Sequence, residues 1–280
     1  MIETRTVALG DLVFTVDGAG PADGAPVLLL HGFPETRHMW RRQLEALGAA
    51  SFRAIAPDQR GYSLGARSRE ENAYATSLLV DDALGLMDAE RHRRFHVVGH
   101  DWGGQLSWLI AASRPERVIT LSVLSRPHPA AFARALREDP EQSRRSGHHR
   151  AFRQADAVVR MRAARLAPLR DTMLRQGVPP AATDVYVDQL LEEGAIEGAM
   201  SWYRASAIGA PGTPTVTVPT LYVWGTDDAT VGRRAAELTR EYVTGPYEFV
   251  PVENAGHFIV DQLPERVSSL VLEHLRSSPG

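Results

Sequence analysis

Phe95-His96-Val97-Val98-Gly99-His100-Asp101-Trp102-Gly103-Gly104 decides how this chain folds. A short apolar run enters a glycine-flanked turn, and Gln105 to Ser113 then follows a helical pattern. Strand, tight turn and helix in that order are the setting of a nucleophile elbow, whose centre is normally Ser. Here the centre is Asp101.

Each nucleophile leaves a different product. A Ser oxygen on an acyl carbon gives an ester that water cleaves. On a tetrahedral carbon it gives an ether, a dead end. A carboxylate on a tetrahedral carbon gives an alkyl ester whose carbonyl belongs to the Asp itself, and water attacking there restores the enzyme. Asp101 therefore points to displacement at saturated carbon, by epoxide opening or carbon–halogen cleavage. The plain alternative is an inactive hydrolase, or a loop Asp that caps the following helix.

Around the elbow, the chain reads as an α/β protein. Residues 4–9 and 12–17 form two strands about Gly10-Asp11, and Val27-Leu28-Leu29-Leu30 reads as a strand buried on both faces. Further strands are expected at 52–56, 95–98, 118–124, 220–224 and 247–252. Helices are expected from Glu35 to Leu47, through Leu78, Leu79, Ala83, Leu86 and Met87, over 232–243 and over 263–276. From Arg126 to Pro214 the apolar spacing is helical, without a buried strand, and Ala210-Pro211-Gly212-Thr213-Pro214 reads as a return linker. The expectation is a doubly wound, mostly parallel eight-stranded sheet, with a core of residues 1–125 and 215–280 and an inserted helical lid of residues 126–214. Sites in such sheets lie at the carboxyl ends of strands.

Composition narrows the chemistry. The chain has 280 residues, no Cys, and 31 basic residues that are all Arg. Disulfides, thiolate ligands, a thiol nucleophile and lysine Schiff bases are excluded. The net charge of −3 sets up no field for nucleic acid or an anionic membrane. No apolar run approaches the ~18 residues of a membrane span, and the N-terminus lacks a secretory pattern. A cytoplasmic protein from a GC-rich bacterial genome is expected, working without cofactor or metal. The oligomeric state is not legible, and a homodimer stays open.

A carboxylate nucleophile needs a base to deliver water. His257, in Asn254-Ala255-Gly256-His257-Phe258 after the last strand, holds the place of that base. The strand 220–224 ends in Gly225-Thr226-Asp227-Asp228, where Asp228 is preferred over Asp227 as the acid that orients the His. Amides of Trp102 and Phe33 are the expected oxyanion donors, and Pro34 stiffens that loop, with a cis bond open to it. Gly61-Tyr62-Ser63-Leu64-Gly65 also matches a Ser elbow, but neither a strand directly before it nor a helix directly after it supports Ser63.

In these residues the chain resembles the α/β-hydrolase-fold epoxide hydrolases of the Asp-nucleophile branch. The resemblance runs through His31-Gly32-Phe33-Pro34, Asp58-Gln59-Arg60-Gly61-Tyr62, Gly99 to Gly104, Ser201-Trp202-Tyr203-Arg204, Trp224 to Asp228, and Gly256-His257. It implies an epoxide opened to a vicinal diol through an Asp101 ester. It also implies two lid tyrosines that hold the epoxide oxygen. Tyr203 matches the second. The first belongs to a Tyr-x-x-x-Phe pattern; Phe152 fits the Phe, but His148 stands at the Tyr position, so His148 is assigned, with His149 as the alternative. His31, Pro34, Trp108 and Trp202 are expected to line a mainly hydrophobic pocket for a small epoxide. The Arg-rich lid reads as a solvated face paired with Glu138, Asp139, Glu141 and Asp156.

Haloalkane and haloacid dehalogenases are similar too. The first usually place an Asn where Phe33 stands, and the fluoroacetate enzymes place Arg around the nucleophile, where Trp102, Gly103, Gly104 and Gln105 stand here. A non-catalytic small-molecule binder on the same scaffold is the third reading.

Overall fold

The expected strands assemble into one eight-stranded sheet in a computed structural model that describes residues 1–206 and 209–277. The strands are β1 (Glu3–Leu9), β2 (Leu12–Ala19), β3 (Ala25–Leu30), β4 (Phe52–Pro57), β5 (Phe95–His100), β6 (Val118–Leu124), β7 (Thr220–Gly225) and β8 (Tyr247–Val252). Their spatial order is β1-β2-β4-β3-β5-β6-β7-β8. β2 runs antiparallel to β1 and β4, and every later pair is parallel. Val27, Leu28, Leu29, Val97 and Val98 are fully buried, which is why their strands carry unbroken apolar runs.

Around the sheet, α1 (Arg41–Ala49) packs with the last helix, and α2 (Thr76–Ala89) packs with α3 (Asp101–Ser113). Between β6 and β7 come α4 (Pro129–Glu138), α5 (Pro140–Arg145), α6 (Gly147–Phe152), α7 (Ala157–Ala163), α8 (Ala167–Arg175), α9 (Pro180–Leu191) and α10 (Ala195–Ala205). No strand interrupts them among the described residues. The chain closes with α11 (Arg233–Leu238), α12 (Ile259–Gln262) and α13 (Pro264–Ser277). None of the described helices is long and apolar enough to cross a membrane.

Three boundaries differ from the sequence reading. The helix expected from Glu35 starts at Arg41, because the Thr36 side chain accepts from the His38 amide and a 3-10 turn, Arg37–Trp40, comes first. The helix expected over 232–243 splits into α11 and a 3-10 turn, Thr239–Tyr242. The helix behind the elbow begins at Asp101 itself. The Phe33–Pro34 bond is cis.

Two buried histidines make this core sensitive to acid. His96 Nδ1 lies 2.8 Å from Thr120 Oγ1, and His128 Nδ1 accepts from the Ala130 amide at the start of α4. Burial pushes both pKa values down to about 4. The unfolded rings titrate near 6.5, so the stability held by neutral rings is full above that pH and is lost as pH falls from 6.5 toward 4. Denaturant unfolding at pH 5 should give a stability lower than at pH 7 by about 2 kcal/mol for each ring. His96→Gln should shrink that difference, and a flat profile contradicts this account.

Candidate active site

Three strand ends converge. Asp101 follows β5, Asp228 follows β7 and His257 follows β8. All three are buried, with Asp228 fully enclosed. His257 Nδ1 stands 3.0 Å from Asp228 Oδ2, and His257 Nε2 stands 3.6 Å from Asp101 Oδ2. Asp228 Oδ1 is fixed by the amides of Thr230, at 2.7 Å, and Val231, at 2.9 Å. Asp227 is exposed to solvent.

The sequence packs Asp101 tightly. Its φ is +49°, a conformation costly for a residue with Cβ. The turn closes only because its neighbours are glycines. A Cβ on Gly103 would lie 2.1 Å from the Leu30 carbonyl oxygen, and one on Gly32 would lie 2.5 Å from Asp101 Cβ. With no side chain at Gly32, the next loop approaches closely, and the Phe33 amide donates to Asp101 Oδ1 at 3.1 Å. Trp102 is the second residue of α3, where first-turn amides have no partner within the helix.

Charge is concentrated here. Burial opposes ionisation of Asp101, but His257, then Arg126 and His100, hold its carboxyl well below the usual range. Burial likewise opposes protonation of His257, and the two Asp residues outweigh it, holding the ring at about 10. The resting site is therefore a carboxylate–imidazolium pair. Tyr203, on α10, has its pKa raised well above 10 by burial and the Asp101 charge, against a hydrogen bond from the Trp102 indole. Its ring is wedged between Phe33, at 5.6 Å, and Trp102, at 5.1 Å. The phenol stays protonated.

The structure corrects several expected pocket residues. His31 is fully buried, and its Nε2 accepts from the Gln59 amide. Trp108 is fully buried behind the elbow, donates to the Arg126 carbonyl, and packs on His128 and Tyr222. The Trp202 indole donates to the Arg60 carbonyl, and its ring packs edge-on against Trp102 and Tyr62. Each of these polar groups is consumed by backbone. Pro34 is buried beside Phe33. Ser63 donates to the Asp58 carbonyl and accepts from Thr15, a structural role. Arg134, Arg145 and Arg160 pair as expected with Glu138, Glu141 and Asp156, while Asp139 caps α5.

Other residues at the site escape the sequence reading. His100 Nδ1 lies 2.8 Å from Glu35 Oε2, and its Nε2 lies 2.8 Å from the His257 carbonyl. Burial disfavours charge on His100, and Glu35 outweighs it. Asp261, pushed up to about 8 by burial and Glu35, accepts from Tyr186 on α9 at 3.0 Å. Arg126 is buried with its guanidinium 4.5 Å from the Phe132 ring, and it donates to Gln105. The one sequence signal was adjacency, since His100 precedes the elbow Asp and Glu35 follows Pro34.

Comparison with known proteins agrees with this architecture. The α/β hydrolase fold family matches residues 25–264. "AB hydrolase superfamily protein YfhM" of Bacillus subtilis is 31% identical, with 99% of each chain covered. "Epoxide hydrolase A" of Mycobacterium tuberculosis is 31% identical over 90% of this chain and 91% of its own. A solved structure among the novel epoxide hydrolases from hot-environment metagenomes superposes with a TM-score of 0.88 at 30% identity, covering 98% of both chains. With this fold, this site and these relatives, the chain belongs to the α/β-hydrolase family and groups within it with the epoxide hydrolases.

Proposed function

We propose that the chain hydrolyses epoxides to vicinal diols through a covalent ester on Asp101. The observation that carries this reading is the buried Asp101–His257–Asp228 line with a protonated Tyr203 set against it. Asp101 Oδ1 is held by the Phe33 amide, which leaves Oδ2 as the attacking oxygen. It forms a bond to an epoxide carbon while the C–O bond opposite breaks. The alkoxide takes the Tyr203 proton, and the phenolate recovers one from the His257 imidazolium. Once Asp101 is a neutral ester, His257 loses one of the two charges that held its pKa high. The ring is now a base, oriented by Asp228. It takes a proton from water, whose oxygen attacks the Asp101 carbonyl. Amides of Phe33 and Trp102 hold the oxyanion. Collapse releases the diol and restores the ion pair.

Residues 126–214 act as the lid that carries Tyr203 and closes the site over a small, mainly hydrophobic epoxide. The dehalogenase reading is weaker, because the Phe33 side chain has no donor for a halide and the Trp102 indole is directed at Tyr203. The test is a single turnover in ¹⁸O-water with enzyme in excess over styrene oxide. Water attacks the carboxyl of Asp101, so the label should enter the peptide containing Asp101, and the first diol released should carry none. Label in the diol alone would mean direct attack of water on the epoxide and would refute the covalent scheme.

A further inference from the structure

We infer that Asp261 is a positioning residue for the base: as a hydrogen-bonded bridge between Tyr186 and Glu35, it ties helix α9 of the lid to the turn that follows His257. The inference rests on the epoxide-hydrolase reading above and concerns its second step, hydrolysis of the ester.

Asp261 lies on the short helix α12, just after the base. Tyr186, on α9, is fully buried, and its hydroxyl lies 3.0 Å and 3.1 Å from the two Asp261 oxygens. The next residue makes a second tie. Gln262 accepts from the Gly256 amide, beside His257, at 2.8 Å, and donates to the Gln176 carbonyl at the end of α8. Two adjacent residues of α12 are thus held by helices that precede β7 in the chain.

On its other side Asp261 is hydrogen-bonded to the carboxyl of Glu35, which is fully buried. Carboxylates only accept, so a hydrogen bond between these groups needs a proton. Glu35 Oε2 already has His100 Nδ1 at 2.8 Å, whereas Asp261 faces a phenol. The proton therefore sits on Asp261. Its O–H goes to Glu35, and its oxygen accepts from Tyr186. Burial and Glu35 push the Asp261 pKa up to about 8, against the Tyr186 hydrogen bond. His100 closes the loop. Its Nε2 lies 2.8 Å from the His257 carbonyl, which also accepts from Ser125 Oγ at 2.8 Å.

The groups around this pair do not supply another charge. His31 and Tyr62 face Glu35, and His38 lies edge-on to Tyr186 with centroids 6.1 Å apart; burial disfavours charge on all three. Arg37, in the same 3-10 turn as His38, pairs with Asp17 and Asp58. Glu265, on α13, pairs with Arg42 at the surface. Loss of the Asp261 proton would leave two buried carboxylates facing each other. The α12 turn would give way, and His257 would move from its place over the ester. Asp101 is held by its own elbow and Tyr203 by Phe33 and Trp102, so ring opening does not depend on the bridge.

Rapid-quench mass spectrometry on styrene oxide, between about pH 7 and 9.5, separates ester formation from ester hydrolysis. In wild type, hydrolysis should fall about tenfold for each pH unit above about 8, as for loss of one essential proton, while ester formation holds. Asp261→Asn keeps both contacts, because its oxygen accepts from Tyr186 and its amide donates to Glu35, but it has no proton to lose. Its ester hydrolysis should not fall. Tyr186→Phe removes the donor that favours the carboxylate, so the fall should move to higher pH, which a merely structural role would not predict. Infrared difference spectra without substrate should show a protonated carboxyl in wild type that disappears over the same range and is missing from Asp261→Asn. A fall that persists in Asp261→Asn, or a wild type with no fall, overturns the inference. If Asp261→Asn fails to fold, Tyr186→Phe decides, and an unshifted fall overturns it. Wild type that shows the carboxyl band yet forms no ester would instead refute the reading on which this one rests.

Discussion

His257→Gln should stop the reaction halfway, with one equivalent of substrate bound to Asp101 and turnover lower by about 10³-fold or more, the span of a lost general base. The first step survives because Asp101 stays ionised. Arg126 and His100 also lower its pKa, and the Phe33 amide still holds Oδ1. The second step fails because Gln cannot take a proton from water. Intact-mass spectrometry should then show the protein heavier by the whole epoxide, with the added mass on the peptide containing Asp101. Asp228→Asn should show the same accumulation more weakly, since it leaves the ring in place but removes the carboxylate at 3.0 Å that orients it. Normal steady turnover in His257→Gln would contradict the assignment of the base.

The residues legible in the sequence share one property: their chemistry lies in short contiguous segments at strand ends. Asp101, Asp228 and His257 are each announced by glycines and a preceding apolar run, and the fold brings those ends together. The strands β3 to β7 were legible because strands buried on both faces leave largely apolar runs. Glu35, His100, Asp261 and Tyr186 were not. Their roles come from contacts between distant elements; Tyr186 and Asp261 are 75 residues apart. Burial, which periodicity does not report for a lone polar residue, is what couples them. Trp108, Trp202 and His31 failed in the opposite direction. Sequence marks them as large and apolar or aromatic, but not whether the ring N–H or lone pair is already taken by a backbone group.

Asp101→Asn should abolish ester formation altogether and, in the same variant, lower the pKa of His257. The amide is nearly isosteric, and its oxygen can still accept from the Phe33 amide, so the elbow should keep its shape. What disappears is the nucleophile and one of the two negative charges facing the imidazolium. The His257 pKa of about 10 should fall, with Asp228 alone still opposing burial. A pH titration of the His257 ring signals by NMR reads this directly, independent of any substrate. Stability should follow with a definite sign. The folded pKa of His257 lies above its unfolded value of 6.5, so the stability tied to its proton is full below pH 6.5 and is lost as pH climbs through 10. The share tied to Asp101, whose pKa is lowered from 3.8, is present above that pH and is lost only in acid. Wild type should therefore lose stability more steeply than Asp101→Asn between pH 7 and 10, although the Asn protein has shed a buried charge and need not be less stable at pH 7. Equal slopes, with an unchanged His257 pKa, would mean that the pair does not share a proton at rest, and the base would then have to be created by some route other than ester formation.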